Sequence, residues 1–187
     1  MDTYIIIVII FGIIALILIS LLFFINRLSI LSNKIEFAFK PIKTYIEERN
    51  DILDKMKEFI TNNLEHEEEF LKEIDKAKET LETTRKAIEG IPNLKKTEKV
   101  FIKFNKLDEI YPKLKNNKEY KTLTESYNNN QDRINYGINN YDEGVKKYNN
   151  YKEKKIVSTL SILFHFPNYI YYKNESWYLQ LMKKNMK

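Results

Sequence analysis

The sequence predicts an all-α protein, an N-terminal transmembrane helix followed by an antiparallel four-helix bundle. Three observations carry this expectation. Residues 4–25 form an uncharged apolar run. Glycine and proline number only 4 each in 187 residues, so turns are few and helices long. From Leu28 onward, apolar residues recur every three or four positions, the period of an amphipathic helix.

Tyr4 to Ile25 reads YIIIVIIFGIIALILISLLFFI. At about 1.5 Å per residue it covers a hydrocarbon core of roughly 30 Å. A cleaved signal would have a basic start, a shorter apolar run and small residues before the cut. Here the chain starts Met1-Asp2-Thr3, and bulky Leu22-Phe23-Phe24-Ile25 closes the run. It therefore reads as an uncleaved anchor. Its N-terminal side carries Asp2 and no Lys or Arg, whereas Arg27, Lys34, Lys40 and Lys43 follow it. Positive residues stay in the cytoplasm. The expectation is a single-pass cell-membrane protein with the short N-terminus outside and the helical domain cytoplasmic. Its parts are an anchor over 1–27, a bundle over 28–155, and an apolar, aromatic and basic tail over 156–187.

In the first bundle helix, Ile35, Ala38, Ile42, Tyr45, Ile52, Met56 and Phe59 form a stripe. Phe39, Ile46, Leu53 and Ile60 widen it, which suits a bundle rather than a two-stranded coil. Pro41 should kink or restart this helix. Thr61-Asn62-Asn63 reads as the turn into a second helix, patterned by Leu64, Leu71, Ile74, Leu81 and Ile88 and ended by Gly90 and Pro92. A third runs from about Asn93 to Ile110, with Leu94, Phe101, Phe104 and Leu107 inward. Tyr111-Pro112 and Asn116-Asn117 mark the next turn. The fourth helix holds Tyr120, Leu123, Tyr127, Ile134, Ile138, Tyr141, Val145 and Tyr148 in three-four alternation, with Asn130 in the gap. Gly137 and Gly144, seven residues apart, would allow another helix to approach closely. Short connections make neighbouring helices antiparallel.

These residues resemble the LemA family of bacterial membrane proteins. The closest stretch is YPKLKNNKEYKTLTESYNNNQDRINYGINNYDEGVKKYN, from Tyr111 to Asn149. It is similar to that family's YP-x-LK-x-N, a later RI, and a final Y-N/D-x-x-V-x-x-YN. AFKPIKTYIEERNDIL resembles its A-W-x-x-I-x-x-x-L-x-R-R-x-D-L-I segment through Ala38, Ile42, Ile46, Arg49, Asp51 and Ile52. His66-Glu67 falls where the family often has His-Glu. The resemblance implies a four-helix bundle on an N-terminal anchor and no established catalytic activity. The sequence departs from the pattern at Pro41, at Glu48 in place of an arginine, at Gln131 in place of an acid, and in lacking Phe-Pro near Lys154–Ile156.

Several chemistries are disfavoured. Cysteine is absent and histidine is limited to 2, which removes thiolate ligands and nucleophiles and leaves little for a histidine metal centre. The net charge of +5 comes from Lys and Glu interleaved along helices, not from a basic stripe, so no nucleic-acid partner is expected. The 13 Tyr and 11 Phe fall mostly at core spacings. No cofactor or metal is expected. His66-Glu67-Glu68-Glu69 lacks the second histidine of H-E-x-x-H, because Phe70 follows.

Two groups remain as candidate sites. Arg49 lies in the apolar stripe and should form a structural polar layer with Gln131 or Asp132. His66, Glu67, Tyr111, Pro112, Leu114 and Lys115 should gather at the free tip of the bundle as a partner-docking surface. The expected function is a non-catalytic interaction or scaffold module held in the lipid bilayer, with protein partners in or at the membrane. Homo-oligomerisation is left open. The alternatives are a membrane-associated hydrolase or metal-dependent enzyme using His66 and Glu67, or a membrane-tethered nucleic-acid binder. Residues 156–172, IVSTLSILFHFPNYIYY, cap the bundle, contact the lipid interface or, broken as they are by Pro167, form a second span.

Overall fold

The computed structural model describes the backbone of residues 2–86 and 94–172, and the side chains of 3–81 and 94–172. Among the described residues all regular structure is helical, in the order α1 (Asp2–Asn63), α2 (Glu68–Lys86), α3 (Leu94–Asn105), α4 (Leu107–Ile110), a 3₁₀ segment (Pro112–Asn116), α5 (Lys118–Lys152) and α6 (Lys155–Leu163). The chain divides into two compact units. One comprises Met1–Ala38 and Asn140–Tyr171, the other Phe39–Asn139 and Tyr172–Lys187.

Helix α1 does not restart at Pro41. It continues from the apolar run into the patterned segment without a break at Leu28, and it contains Pro41. Pro41 is exposed, whereas the next residue, Ile42, is fully buried. The ring thus occupies the outer face, where a missing hydrogen bond costs least, while burial of the inner stripe holds the helix together. The expected turn at Thr61–Asn63 is also displaced. Those residues are helical, and the turn occupies Leu64–Glu67, where His66 adopts a left-handed φ of 66°.

In the second unit, Ile42, Ile46, Ile52, Leu53, Met56, Phe59 and Ile60 of α1 are buried. Helix α2 adds Phe70, Ile74, Ala77 and Leu81. Phe70 takes the inward position, and Leu71 is only half-buried. Ile88, Gly90, Pro92 and Asn93 lie outside the described residues. The single third helix expected here is two. At Lys106 the amide bonds back three residues, to Lys103, instead of four, and α4 restarts at Leu107. Helix α4 stops at Tyr111, whose φ of −117° and ψ of 83° lie outside the helical region that a following proline disfavours. Phe101 is half-buried and stacks on Tyr127 at 3.8 Å. Lys57–Asp75 and Lys78–Asp54 join α1 to α2, and Lys103–Glu73 joins α3 to α2. A Cβ added at Gly137 would meet Ile42 Cγ1 at 2.9 Å, so only glycine permits that approach.

In the first unit, Leu28, Leu31, Ile35, Val145, Tyr148 and Val157 form the core. Phe24, Tyr141, Tyr151, Phe166, Tyr169 and Tyr171 pack around it half-buried. A Cβ at Gly144 would meet Ile35 Cγ1 at 3.1 Å. Lys154, in an extended conformation, separates α5 from α6. Val157, Leu160 and Ser161 bury one face of α6. The chain then turns through His165 at φ 53°, and Tyr148 donates to the Pro167 carbonyl at 2.7 Å. Residues 156–171 therefore pack within this unit, with Ile156, Ile162, Leu163 and Phe164 left exposed. The Phe-Pro pair absent near Lys154–Ile156 is found at Phe166-Pro167, after α6.

Candidate functional site

Helical spacing in α1 puts Arg49 on the same face as Ile42, Ile46 and Leu53, so its side chain points into the core. It is fully buried. Each guanidinium nitrogen finds a different acceptor. Nε donates to Asn130 Oδ1 at 3.0 Å, Nη1 to Thr97 Oγ1 at 3.3 Å, and Nη2 to Gln131 Oε1 at 2.5 Å. The Tyr127 ring lies 4.6 Å from the guanidinium carbon, close enough for a cation–π contact. All three acceptors are neutral.

These partners are themselves held. Thr97 donates to the Leu94 carbonyl at 2.7 Å. Asn130 Nδ2 donates to the Tyr45 carbonyl at 2.8 Å and to Glu48 Oε2 at 3.2 Å. Gln131 Nε2 donates to Asn135 Oδ1 at 3.2 Å and to Glu98 Oε1 at 3.4 Å. Arg133 closes the rim on Glu48 at 2.8 Å. Burial lowers the Arg49 pKa, while Tyr127 and Glu98 work against that shift. Burial raises the Tyr127 hydroxyl, and the Arg49 charge opposes it. The layer can fix helix register, and its engaged donors make it a poor ligand site.

Gln131 lies in this layer, but Asp132 is exposed and outside it. The reason is angular. Residues 127, 130 and 134 of α5 keep the inward three-four spacing, and 132 falls on the outer face. Asn130, the gap in the apolar pattern, was the legible signal for the true partner. Thr97 was not foreseen. It sits three residues after Leu94 and three before Val100, at a core spacing that a polar residue disguises.

The second candidate region lies in the same unit. Tyr111 donates to Glu67 Oε1 at 2.8 Å, which raises its pKa. Lys113 Nζ reaches the Asn63 carbonyl at 3.2 Å, a role the sequence did not assign to it. His66, Pro112 and Lys115 are exposed, as is Ile110. Leu114 departs from the expected docking set. It is 1% exposed and secures the 3₁₀ segment from below, so it presents no surface. Beneath lie Phe59, Phe104 and Tyr120, whose ring centroids are 5.1–6.1 Å apart. Asn117 accepts from the Tyr120 amide at 3.0 Å, a capping bond at the start of α5. Beside this turn is an open depression of about 330 Å³, lined by Asp108, Lys115, Lys121 and Glu125 among others. Among the described residues, no group of three or more His, Asp and Glu side chains is arranged to hold a metal ion.

The region before Phe24 is simpler. The large apolar side chains from Tyr4 to Phe23 are 44–77% exposed, except Leu21, which is half-buried. This part of α1 is long and apolar enough to cross a membrane, and none of its most apolar window is buried.

A search of curated proteins returns no match to this sequence. A family model does match, over residues 38–180, a span that holds both the Arg49 layer and the Glu67–Tyr111 turn. By that match the chain belongs to the LemA family.

Proposed function

We propose that the protein is a membrane-anchored, non-catalytic interaction module. The observation that carries this reading is the exposure of the apolar stretch from Tyr4 to Phe23 on a helix whose later residues build a packed core. In water such a surface would drive aggregation, whereas in lipid it costs nothing. Arg27, Lys34, Lys40 and Lys43 support placing the helical part in the cytoplasm and the short N-terminus outside. A reporter fused to the C-terminus and active only outside the cytoplasm should stay silent. Activity would reverse the orientation.

We further read α1, α2, α3 and α5 as an antiparallel four-helix bundle. In support, Lys57 meets Asp75 and Asp54 meets Lys78, so one chain number rises as the other falls. The pairs Ile42–Gly137 and Arg49–Asn130 in one unit, and Ile35–Gly144 in the other, step by seven in opposite directions along α1 and α5.

The docking surface in this reading is the turn region of His66, Glu67, Ile110, Tyr111, Pro112 and Lys115, facing a protein partner in or at the membrane. Its support is the depression beside Lys115 and the unpartnered Thr124 hydroxyl in that depression. A photo-crosslinker at position 112 should give discrete products in cells. The double substitution Glu67→Ala with Lys115→Ala should abolish them while expression and helicity persist. Products that survive would place docking elsewhere.

A further inference from the structure

Helix α6 reads KIVSTLSIL and is apolar on both sides. Val157, Leu160 and Ser161 face inward. Outside, Ile156 is 60%, Ile162 74%, Leu163 67% and the capping Phe164 52% exposed. A helix on the surface of a soluble protein would carry polar residues on that outer face. Here the stretch is held rigidly in place. Phe166 and Tyr169 pack into the core below it, and the Phe166 amide bonds the Ser161 carbonyl at 2.9 Å. Lys152 Nζ reaches Asn168 Oδ1 at 2.6 Å. The exposed apolar side chains therefore cannot simply rotate inward.

Where α6 sits along α1 identifies its surroundings. The run of exposed large apolar residues on α1 ends at Phe23, and beyond it only Ile30, at 38%, and Phe37, at 74%, stand exposed singly among the described residues. Phe24 already meets the Tyr151 ring at 6.5 Å, and Val157 of α6 shares its core with Leu28. From Phe23 to Leu28 the helix rises by about 7 Å. The headgroup layer outside a hydrocarbon core of roughly 30 Å is about 5–8 Å deep on each side. Helix α6 thus falls at headgroup level if the apolar stretch of α1 fills the core. Its charges suit that level too. Lys154 and Lys155 open the helix, Arg27 is exposed on α1, and Lys154 Nζ lies 5.2 Å over the Tyr151 ring. Cations and tyrosines at the end of an apolar span are the residues that anchor to an anionic headgroup layer.

We propose that α6 is a second lipid contact, lying in the interface of the bilayer that α1 enters, with Ile156, Ile162, Leu163 and Phe164 in the acyl boundary and Lys154, Lys155 and Arg27 at the phosphates. This rests on the reading of α1 as a membrane span. It makes the lipid surface, not a protein, the occupant of the exposed α6 face. One consequence is that the unit would be held at two points and could not swivel freely about α1.

The chain has no cysteine, so single labels can be placed at will. The full chain carrying Ile14→Cys, Leu163→Cys or Asp51→Cys would be labelled with an environment-sensitive fluorophore. Each would be reconstituted in vesicles of phosphatidylcholine and phosphatidylglycerol. Iodide then quenches from water, and nitroxide lipids quench from the headgroup or the acyl chain. The label at 14 should respond to acyl-chain nitroxide, and the label at 51 to iodide. The label at 163 should respond to headgroup-level nitroxide severalfold more than to iodide. If 163 behaves like 51 while 14 lies in lipid, the α6 proposal fails and the anchor stands. If 163 is shielded from both quenchers, protein covers the face, either residues 173–187 or a second copy, and the proposal fails as well. If the label at 14 answers to iodide, the anchor reading fails and the α6 proposal falls with it.

Discussion

The two units share long helices yet treat their polar and apolar groups in opposite ways. The unit around Arg49 buries a full charge, satisfies it through three neutral side chains, and lays ion pairs over its surface. The unit around Leu28 buries no charge in its core. It packs tyrosines whose hydroxyls reach outward to Pro167, Ser32 and Glu36, and it leaves a long run of apolar side chains uncovered. The unit around Leu28 carries the apolar run that, in the proposed reading, a lipid bilayer covers. The difference teaches that helices of one type can build a satisfied polar layer in one unit and an exposed apolar run in the other by changing which side chains point inward.

The largest expected effect probes the buried network. Arg49→Ala leaves Asn130, Thr97 and Gln131 without their shared donor and opens space in a packed core. The cost should be about 2–4 kcal/mol. Ser32→Ala in the other unit removes one bond to Tyr169, 2.8 Å long and part-buried, and should cost about 1 kcal/mol or less. Denaturation of the full chain in detergent micelles compares them. Equal midpoints would erase the contrast between a network and a rim bond.

Helix contacts give the next test. Alanine gains about 1 kcal/mol over glycine in a helix interior. At Gly137 that gain meets a Cβ 2.9 Å from Ile42 Cγ1, and Ile42 is fully buried, so crowding should win. Gly137→Ala should therefore lose about 1–2 kcal/mol. At Gly144 the nearest atom, Ile35 Cγ1, is 3.1 Å away and need give by only a few tenths of an ångström. Gly144→Ala should fall within about 1 kcal/mol of neutral. Thermal melts of the two variants would rank the contacts. If Gly144→Ala proved the worse, the tighter approach would belong to the other unit.

What the sequence made legible follows from periodicity. The α5 stripe, the close approach at both glycines and the inward Arg49 all come from spacing, which a helix converts directly into direction. Of the two expected partners Gln131 holds and Asp132 does not, because matching level along α5 does not fix which side of the helix a residue occupies. Asn130 and Gln131 were reachable from α5, one turn after the inward Tyr127, and they satisfy Arg49 without a carboxylate. Continuity through Pro41 and the break at Lys106 were not legible. Whether a helix survives a proline depends on which face the ring takes and on the packing behind it, and a break after Asn105 has no glycine or proline to announce it. Leu114 in the turn was placed on the surface because turns are usually exposed, yet this apolar residue of a short 3₁₀ segment is buried, with 1% of its surface exposed.

The smallest expected effect concerns pH, and it separates the units by their tyrosines. Burial, followed by the neighbouring Tyr169, pushes the Tyr148 hydroxyl up to about 12. An unfolded tyrosine ionises near 10. Between about 10 and 12 the folded state keeps a proton that the unfolded state has released. The unfolded state then binds fewer protons, so stability falls as pH rises. The contribution of Tyr148 is fully present below about 10 and is lost by about 12. In the other unit Tyr127 is also raised by burial, but the Arg49 charge at its ring works against the shift. Tyr148→Phe should cost about 1 kcal/mol at neutral pH, for its bond to Pro167. It should also reduce the loss of stability between pH 9 and pH 11 by about 1 kcal/mol. Tyr127→Phe should change that alkaline loss less. Melting temperatures of both variants and the parent at the two pH values provide the measurement. If Tyr148→Phe loses stability at alkaline pH as steeply as the parent does, Tyr148 ionises as freely in the folded chain as in the unfolded one, and the contrast drawn between the two tyrosines disappears.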